Sequence, residues 1–425
     1  MLIKGARIID PDSKTDEILD IRIENGVIAE KGKEITEKEG DETIDAAGFI
    51  AAPGFVDVHA HFRDPGQTAK ETLHTGALAA AAGGYTSVVC MANTIPAVDS
   101  KDTLEDILSR SKEEGIHIYQ AAAVTSGRAG KELVPMEELL KAGAAGFTDD
   151  GTPIMNEELV KQAMAEAARL GTVLSFHEED PAYVWQAGIN CGRVSENMGL
   201  QGADRKAEYS MIERDLSLAL ETGAKVDIQH VSARESVDII RRFKAEDGLG
   251  LIHAEATPHH FSLTEEAVRD KGSLAKVNPP LRTEEDRQAV IAGIADGTLD
   301  LIATDHAPHT AEEKERDFVK APSGMIGLET ALALGVTNLI NPGFITFSQL
   351  IERMSLNPAR LYGIKAGSLD IGEPADIVIF NPDEKWILNE DDLHSKSKNS
   401  PFTGMELCGR VKYTISEGKI IYSHP

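Results

Sequence analysis

Eight short, β-rich apolar runs recur along the middle of the chain, and segments with helical spacing separate them. The runs cover residues 54–62, 86–91, 116–124, 146–150, 172–177, 225–231, 251–257 and 300–305. The segment NEELVKQAMAEAARLG is typical of the intervening stretches, since its apolar residues recur at helical spacing and it closes on a glycine. Strands that alternate with helices in this number favour a closed (β/α)8 barrel of the TIM type over an open doubly wound sheet. We assign residues 53–362 to this barrel.

The two ends of the chain follow another pattern, because their apolar residues alternate with a period of two. LIKGARIID and DIRIENGVIAE near the N-terminus, and ADIVIFNP and RVKYTISEGKIIY near the C-terminus, predict strands joined by hairpin turns at ENG and SEGK. Chain termini often lie close together in domains. We therefore predict that residues 1–52 and 363–425 form one small β-sandwich domain beside the barrel.

Charge and cysteine content narrow the class of protein. The 425 residues carry a formal net charge of −27 at pH 7, which argues against nucleic acid or an anionic membrane surface as the main partner. The three cysteines contain no C-x-x-C pair, so a disulfide scaffold or a thiolate zinc site is disfavoured and a reducing cytoplasm is expected. The N-terminal MLIKGARIID has no signal-peptide pattern, and no apolar run is long enough to predict a membrane span.

The first barrel strand ends in GFVDVHAHFRDPG, and the histidines at this end indicate a candidate functional site. His59 and His61 share one face of the strand because side chains alternate between faces. Two imidazoles at a strand end can bind one metal ion, but an isolated H-x-H is about equally often a pair of hydrogen-bonded loop histidines. The motif alone therefore leaves both interpretations open.

Four later runs also end in polar groups, in GFTDDG, LSFHEED, DIQHVS and LIATDHAPH. A barrel places such groups together at the carboxyl ends of its strands. The residues concerned are Asp150, His177, His230 and Asp305. So much polarity in one pocket requires compensation, which a pair of metal ions would supply. Nitrogen and carboxylate ligands favour Zn²⁺, with Mn²⁺, Co²⁺ or Fe²⁺ as substitutes.

In chain order, the motifs VDVHAHFRDPG, NT, DDG, FHEED, QHVS, NPPLR and ATDHAPH resemble those of the dihydroorotases, in the amidohydrolase superfamily. The resemblance extends over nearly the whole chain, including the closing SPFTGMELCGRV. It implies that His59, His61 and Asp305 bind one metal ion, and that His177 and His230 bind a second. We therefore expect one or two zinc ions per chain, with two favoured.

The end of the fourth strand departs from many relatives, which bridge the two metals with a carboxylated lysine. Here this end reads Thr-Asp-Asp, and the nearest upstream lysine, Lys141, precedes the strand. The chain thus resembles the bacterial-type branch, in which an aspartate bridges the metals. Alignment with that branch selects Asp150 and leaves Asp149 as a turn residue or a support for the site.

The resemblance also implies a substrate, dihydroorotate, a small ring that carries a carboxylate. Selecting it from neutral rings requires cations or hydrogen-bond donors, and Arg63 suits a bidentate contact with the carboxylate. Ordinary structural roles remain open for the other candidates, such as a turn, an X-Pro cap or a hinge. Those candidates, implied by the resemblance, are Asn93 and His309 for the carboxylate and Asn278, Ser323 and Gly324 for the ring amides.

The implied reaction is the reversible hydrolysis of (S)-dihydroorotate to N-carbamoyl-L-aspartate in pyrimidine biosynthesis. A metal-bound hydroxide would be the nucleophile and Asp305 the proton shuttle. One alternative is another cyclic amidohydrolase, either an allantoinase or a dihydropyrimidinase. Another is a non-catalytic scaffold for an aspartate transcarbamoylase. We expect a homo-oligomer, and a transcarbamoylase partner stays open.

Overall fold

The computed structural model describes all 425 residues, and its strands fall into three consecutive groups. The first five are β1 (Leu2–Asp10), β2 (Thr15–Glu24), β3 (Val27–Gly32), β4 (Thr43–Asp45) and β5 (Ile50–Pro53). The next eight are β6 (Phe55–Ala60), β7 (Tyr85–Cys90), β8 (His117–Gln120), β9 (Phe147–Thr148), β10 (Val173–Phe176), β11 (Lys225–Ile228), β12 (Ile252–Ala256) and β13 (Leu301–Ile302). The last three are β14 (Ile377–Ile387), β15 (Glu406–Ser416) and β16 (Lys419–Ser423).

Helices follow most of the strands of the second group. Those as far as β11 are α1 (Leu73–Ala82), α2 (Lys101–Ser111), α3 (Met136–Lys141), α4 (Glu157–Leu170), α5 (Arg193–Asn197) and α6 (Lys206–Thr222). The later ones are α7 (Arg234–Glu246), α8 (Pro258–Ser262), α9 (Glu266–Lys271), α10 (Glu284–Asp296), α11 (Ala311–Lys314), α12 (Ala331–Gly335), α13 (Phe347–Ile351) and α14 (Asn357–Tyr362). None of them combines the length and hydrophobicity that crossing a bilayer would require.

The strands β6 to β13 form the predicted barrel. Parallel ladders join β6 to β8 and β9 to β13. Parallel bridges from Ala122 to Phe147 and from Ala60 to His306 connect these two sheets at both edges. The eight parallel strands therefore close on themselves, which confirms the predicted fold class. A cluster of 81 buried apolar residues includes side chains from these strands and the surrounding helices.

Most of the barrel strands are shorter than their apolar runs, and two of them are reduced to two residues each. Strand β9 contains only Phe147–Thr148 and β13 only Leu301–Ile302. The polar residues that end these runs leave the ladder, and Asp305 has a positive φ of 47°. Such a conformation is uncommon for a residue other than glycine and is frequent at functional sites. The strand ends at the rim are thus turned out of regular pairing where the candidate site lies.

Strands from both ends of the chain share one further sheet, in the order β16-β15-β14-β5-β1-β2-β3, with β4 beside β1. The link between the ends is the antiparallel pairing of β14 with β5. This sheet has its own cluster of 14 buried apolar residues, contributed by both ends. The predicted domain boundaries at residues 52/53 and 362/363 remain a prediction.

Candidate metal centre and active site

Asp150 lies at the centre of a buried polar group at the carboxyl rim of the barrel. Its Oδ1 is 3.5 Å from both His59 Nε2 and His177 Nδ1 and 3.9 Å from His230 Nε2. Its Oδ2 is 3.5 Å from His61 Nε2. Two clusters with the spacing of metal ligands share this aspartate, one with His59 and His61 and one with His177 and His230. Asp150 is therefore placed where one carboxylate could bridge two ions.

Asp305 lies beside the first of these clusters. Its Oδ1 is 2.9 Å from His61 Nε2 and 3.5 Å from His59 Nε2. It also lines the cavity above the cluster. The structure thus brings together all six predicted metal-ligating residues, which are separated by up to 246 positions in the sequence.

His59 shows most directly that the site suits a cation. Its Nδ1 is 2.9 Å from Glu255 Oε2, and because a carboxylate only accepts, the proton lies on Nδ1. Its Nε2 is buried without a hydrogen-bond partner. Burial lowers the pKa of His59, but Glu255 and Asp150 outweigh burial and hold it well above its ordinary value. The surrounding carboxylates therefore favour positive charge at this nitrogen, where a metal ion would bind.

Asn93 orients two of the candidate ligands. Its Nδ2 donates to Asp150 Oδ2 at 2.9 Å, and its Oδ1 is 2.9 Å from His61 Nδ1. The carboxylate requires a donor, which fixes the amide orientation and places the proton of His61 on Nδ1. Nε2 of His61 then directs its lone pair toward Asp305 Oδ1, 2.9 Å away, a repulsive approach that a metal ion held by both residues would relieve. Asn93, predicted to contact the substrate, thus also touches the metal ligands.

The second cluster has a matching support in Glu179. Nδ1 of His177 is 2.9 Å from His230 Nε2, while its Nε2 is 3.4 Å from Glu179 Oε2. Burial lowers the pKa of His177, but Asp150 and Glu179 raise it to about 9. Burial and the neighbouring His177 hold the pKa of His230 well below its usual value. One positive charge is thus favoured between the two rings, as a shared metal ion would provide.

Asp149 has a different role from its neighbour. Its Oδ1 accepts from the backbone amides of Val124 at 2.8 Å and Thr125 at 3.2 Å, and its Oδ2 accepts from the Thr125 hydroxyl. These contacts hold the chain that follows β8. Arg128 in turn donates to the main-chain carbonyl of Asp150. The geometry favours Asp150 as the bridging residue and Asp149 as its support.

The sequence did not identify Glu255, Glu179 or Arg128 as part of the site. Glu179 follows His177 by two residues in FHEED, so a shared strand face was the available signal. Glu255 interrupts the otherwise apolar end of β12, which is a weak signal for a buried polar role. Nothing in the local sequence of Arg128 indicates its contact with Asp150.

A cavity of about 540 Å³ opens above the two clusters. The six residues predicted to bind substrate all line it, together with Asp305 and three of the candidate metal-binding histidines. The six are Arg63, Asn93, Asn278, His309, Ser323 and Gly324. A small ligand in this cavity would therefore meet both the metal clusters and the predicted binding residues.

Arg63 and His309 form one corner of the cavity. Arg63 Nη2 is 3.4 Å from His309 Nε2, and Arg63 Nε donates to the Pro308 carbonyl at 3.3 Å. His309 Nε2 is also 2.9 Å from the Ser323 carbonyl oxygen. Gly324 packs so closely here that a Cβ would lie 2.8 Å from the Ala307 Cβ, and its φ is 131°. Glycine is therefore required at this position.

Several known proteins are similar to this chain in sequence or in fold. The sequence profile of the amidohydrolase family matches residues 50–421. The chain is 53% identical over 423 residues to a dihydroorotase of Clostridioides difficile, covering 100% of both chains. It is 50% identical to a dihydroorotase of Clostridium acetobutylicum, covering 99% of both chains.

Among solved structures, an L-hydantoinase (dihydropyrimidinase) from Arthrobacter aurescens superposes with a TM-score of 0.88 at 26% identity. The superposition covers 99% of this chain and 96% of the hydantoinase. The barrel, the flanking sheet and the matched relatives thus give the same family assignment over the full length of the chain. The chain belongs to the amidohydrolase family, among the dihydroorotases.

Proposed function

We propose that this enzyme hydrolyses (S)-dihydroorotate reversibly to N-carbamoyl-L-aspartate, the ring-opening and ring-closing step of pyrimidine biosynthesis. The observation that carries the proposal is the shared cavity, in which Asp150 lies between two histidine pairs and Arg63 occupies the facing corner. Close relatives named dihydroorotases add support. A cationic corner beside a hydrolytic centre suits a cyclic amide that carries a carboxylate.

Zinc is the proposed metal, because the candidate ligands are imidazoles and carboxylates with no thiolate among them. His59, His61 and Asp305 would hold one ion, His177 and His230 the other, and Asp150 would bridge them. When bound, the ions would supply an activated water and polarise the scissile carbonyl. The buried, unpartnered Nε2 of His59 supports this assignment.

The proton transfers fall to Asp305. Its carboxylate lies beside the first cluster and lines the cavity that would hold the substrate. In the hydrolytic direction it accepts a proton from the attacking water and then donates it to the leaving amide nitrogen. In the reverse direction the roles exchange. Asp305 therefore acts as base and acid in turn.

Arg63 and His309 bind the ring carboxylate. The guanidinium offers parallel N–H donors that match a carboxylate, and His309 lies 3.4 Å away on the same side of the cavity. Asn93 is the third candidate for this carboxylate. The Ser323 hydroxyl donates to Asn278 Oδ1 at 3.1 Å, so these two side chains form a second polar edge of the cavity, which would meet the ring amides.

Another cyclic amidohydrolase is the second candidate, because the superposed solved structure is named a hydantoinase. A neutral ring would offer Arg63 no carboxylate to bind. The deciding experiment assays dihydroorotate, dihydrouracil and allantoin side by side, with metal content measured in protein purified without added zinc. Turnover of dihydroorotate alone by zinc-containing protein is the expected result. Preference for dihydrouracil or allantoin would refute the substrate, and full activity without a transition metal would refute the metal centre.

A non-catalytic scaffold is disfavoured because all six candidate ligand positions are occupied by metal-binding residue types. A homo-oligomer, a transcarbamoylase partner and a cytoplasmic location stay predictions. Gel filtration with light scattering, alone and with an aspartate transcarbamoylase, tests the first two. A fluorescent fusion in the source cells tests the location.

A further inference from the structure

Charged side chains lie close to both ring nitrogens of His309. Arg63 Nη2 lies 3.4 Å from Nε2, and Lys70 Nζ lies 3.4 Å from Nδ1. A carboxylate oxygen of Glu313 is 3.5 Å from Nδ1. Lys70 is absent from the cavity wall, so it reaches the ligand site only through this imidazole.

The proton on the His309 ring can be located from its partners. The Ser323 carbonyl, 2.9 Å from Nε2, only accepts, so Nε2 carries a hydrogen. In the neutral ring Nδ1 is then an acceptor, and the Lys70 ammonium only donates. Glu313 Oε2 is engaged elsewhere, since it accepts from the Thr310 amide at 3.2 Å. The shorter Ser323 contact and the Lys70 contact agree on this tautomer, in which the 3.4 Å approach of Arg63 Nη2 to Nε2 is a close contact and not a hydrogen bond.

The surroundings also keep the ring neutral. Burial lowers the pKa of His309, and the positive charges of Arg63, Lys70 and Lys314 lower it further, to about 2. The imidazole is therefore uncharged throughout the neutral range. A neutral ring has only one proton, which must lie on Nε2 for the bond to the Ser323 carbonyl to form.

Lys70 is held in place for this contact. Its Nζ is 3.1 Å from Glu313 Oε1, and its side chain is only 16% exposed. Its backbone carbonyl accepts from the Ser397 hydroxyl at 2.7 Å. Asn399, two residues further on, accepts from the His309 amide at 3.1 Å. The same C-terminal segment thus fixes both partners of the Lys70–His309 contact.

We propose that Lys70 is a positioning residue that holds His309 in the Nε2–H tautomer, so that the ring stays bonded to the Ser323 carbonyl and is fixed beside Arg63 at the corner that would meet the carboxylate of an anionic ring. The identity of that ring rests on the proposed function. The tautomer does not, because it follows from contacts in the ligand-free protein. Lys70 thereby contributes to the choice of a charged ring over a neutral one.

The test compares Lys70→Met with Lys320→Met, which removes the same charge from an exposed side chain on the loop before Ser323. The ¹⁵N resonances of the His309 ring, identified by their loss in His309→Asn, report the tautomer without any substrate. The wild type and Lys320→Met are expected to show a protonated Nε2 and an unprotonated Nδ1. Lys70→Met is expected to show a mixture of the two neutral tautomers, because burial and Arg63 still keep the ring unprotonated.

Kinetics provide the second measurement. Lys70→Met is expected to raise KM for dihydroorotate about tenfold, the scale of one hydrogen bond to a charged group, with little change in kcat. Lys70→Arg, which keeps a charged donor, is expected to restore most of the loss and serves if Lys70→Met does not fold. A protonated Nδ1 in the wild type, or unchanged ring resonances in Lys70→Met, would overturn the proposal. An inactive wild type with the expected resonances would instead overturn only the proposed substrate.

Discussion

Glu255 Oε2 lies 2.9 Å from His59 Nδ1 and directs the opposite nitrogen of that ring toward Asp150. The same oxygen accepts from the backbone amide of His230 at 3.1 Å. One fully buried carboxylate thus holds a ring of the first cluster and the backbone of the second. Carboxylates behind metal-binding histidines fix the tautomer and raise ligand basicity.

Replacing this carboxylate should weaken metal binding without removing a ligand. Glu255→Gln is expected to lower zinc affinity about 10- to 100-fold, the usual effect of losing such a partner. Competition with a chromophoric chelator measures the affinity. The exposed Glu246→Gln, at the end of α7, is the matched control. Equal zinc affinity in Glu255→Gln and the wild type would show that the contact does not support the metal centre.

Replacing Asp150 should affect metal binding, whereas replacing its neighbour Asp149 should affect stability. Asp150→Asn is expected to reduce bound metal from two ions to one or none, because both clusters share this residue. Asp149→Asn should retain the metals but lose about 1–3 kcal/mol of unfolding free energy, because it weakens the acceptor for Val124 and Thr125. Elemental analysis and chemical denaturation measure the two quantities. Metal loss in Asp149→Asn with full retention in Asp150→Asn would reverse the assignment.

Asp305→Asn tests the proton shuttle. An amide can still lie beside His61 but cannot accept a proton, so kcat should fall about 10²- to 10⁴-fold. Metal content is measured on the same sample, and the bridging and histidine ligands should retain at least one ion. A variant with bound metal and near-normal kcat would exclude Asp305 as the base.

Arg63→Met tests the carboxylate contact. Losing a hydrogen bond to a charged group should raise KM for dihydroorotate about 10- to 100-fold. Activity toward dihydrouracil should change little, so the preference between the two rings should largely disappear. Arg193→Met, at an exposed position at the start of α5, controls for the loss of charge. If the preference survives in Arg63→Met, another group recognises the carboxylate.

The rim residues could be predicted because the fold itself brings strand ends together. Once eight strands were recognised, His59, His177 and His230 had to lie at the same end of the barrel. The residues that support these ligands could not be predicted in this way, because their contacts depend on three-dimensional geometry. Glu255 meets His59 across 196 positions of sequence, and the contact depends on the tilt and stagger of the closed barrel. Lys70 reaches His309 through loop geometry that no periodicity encodes.

Buried Lys314 should make the stability of the protein depend on pH. Its Nζ donates to the Pro322 and Gly324 carbonyls at 3.0 and 2.9 Å, under the loop that carries Ser323. Burial, with a smaller contribution from the positive charge of nearby Lys276, lowers the pKa of this ammonium from 10.5 to about 7. The folded protein therefore binds this proton less tightly than the unfolded chain does.

The titration of Lys314 should make the protein more stable as the pH rises. Between about pH 7 and the unfolded value near 10.4, the unfolded chain holds more protons, so this group makes stability rise with pH. Below pH 7 both states are protonated and the contribution is flat. Lys314→Met should remove the rise, lowering the slope of unfolding free energy by up to about 1.4 kcal/mol per pH unit. Denaturant titrations from pH 7 to 10, with Lys320→Met as control, measure it. Parallel slopes in Lys314→Met and the wild type would mean that the carbonyl contacts keep Lys314 protonated, because hydrogen bonds to the charged form then outweigh its burial.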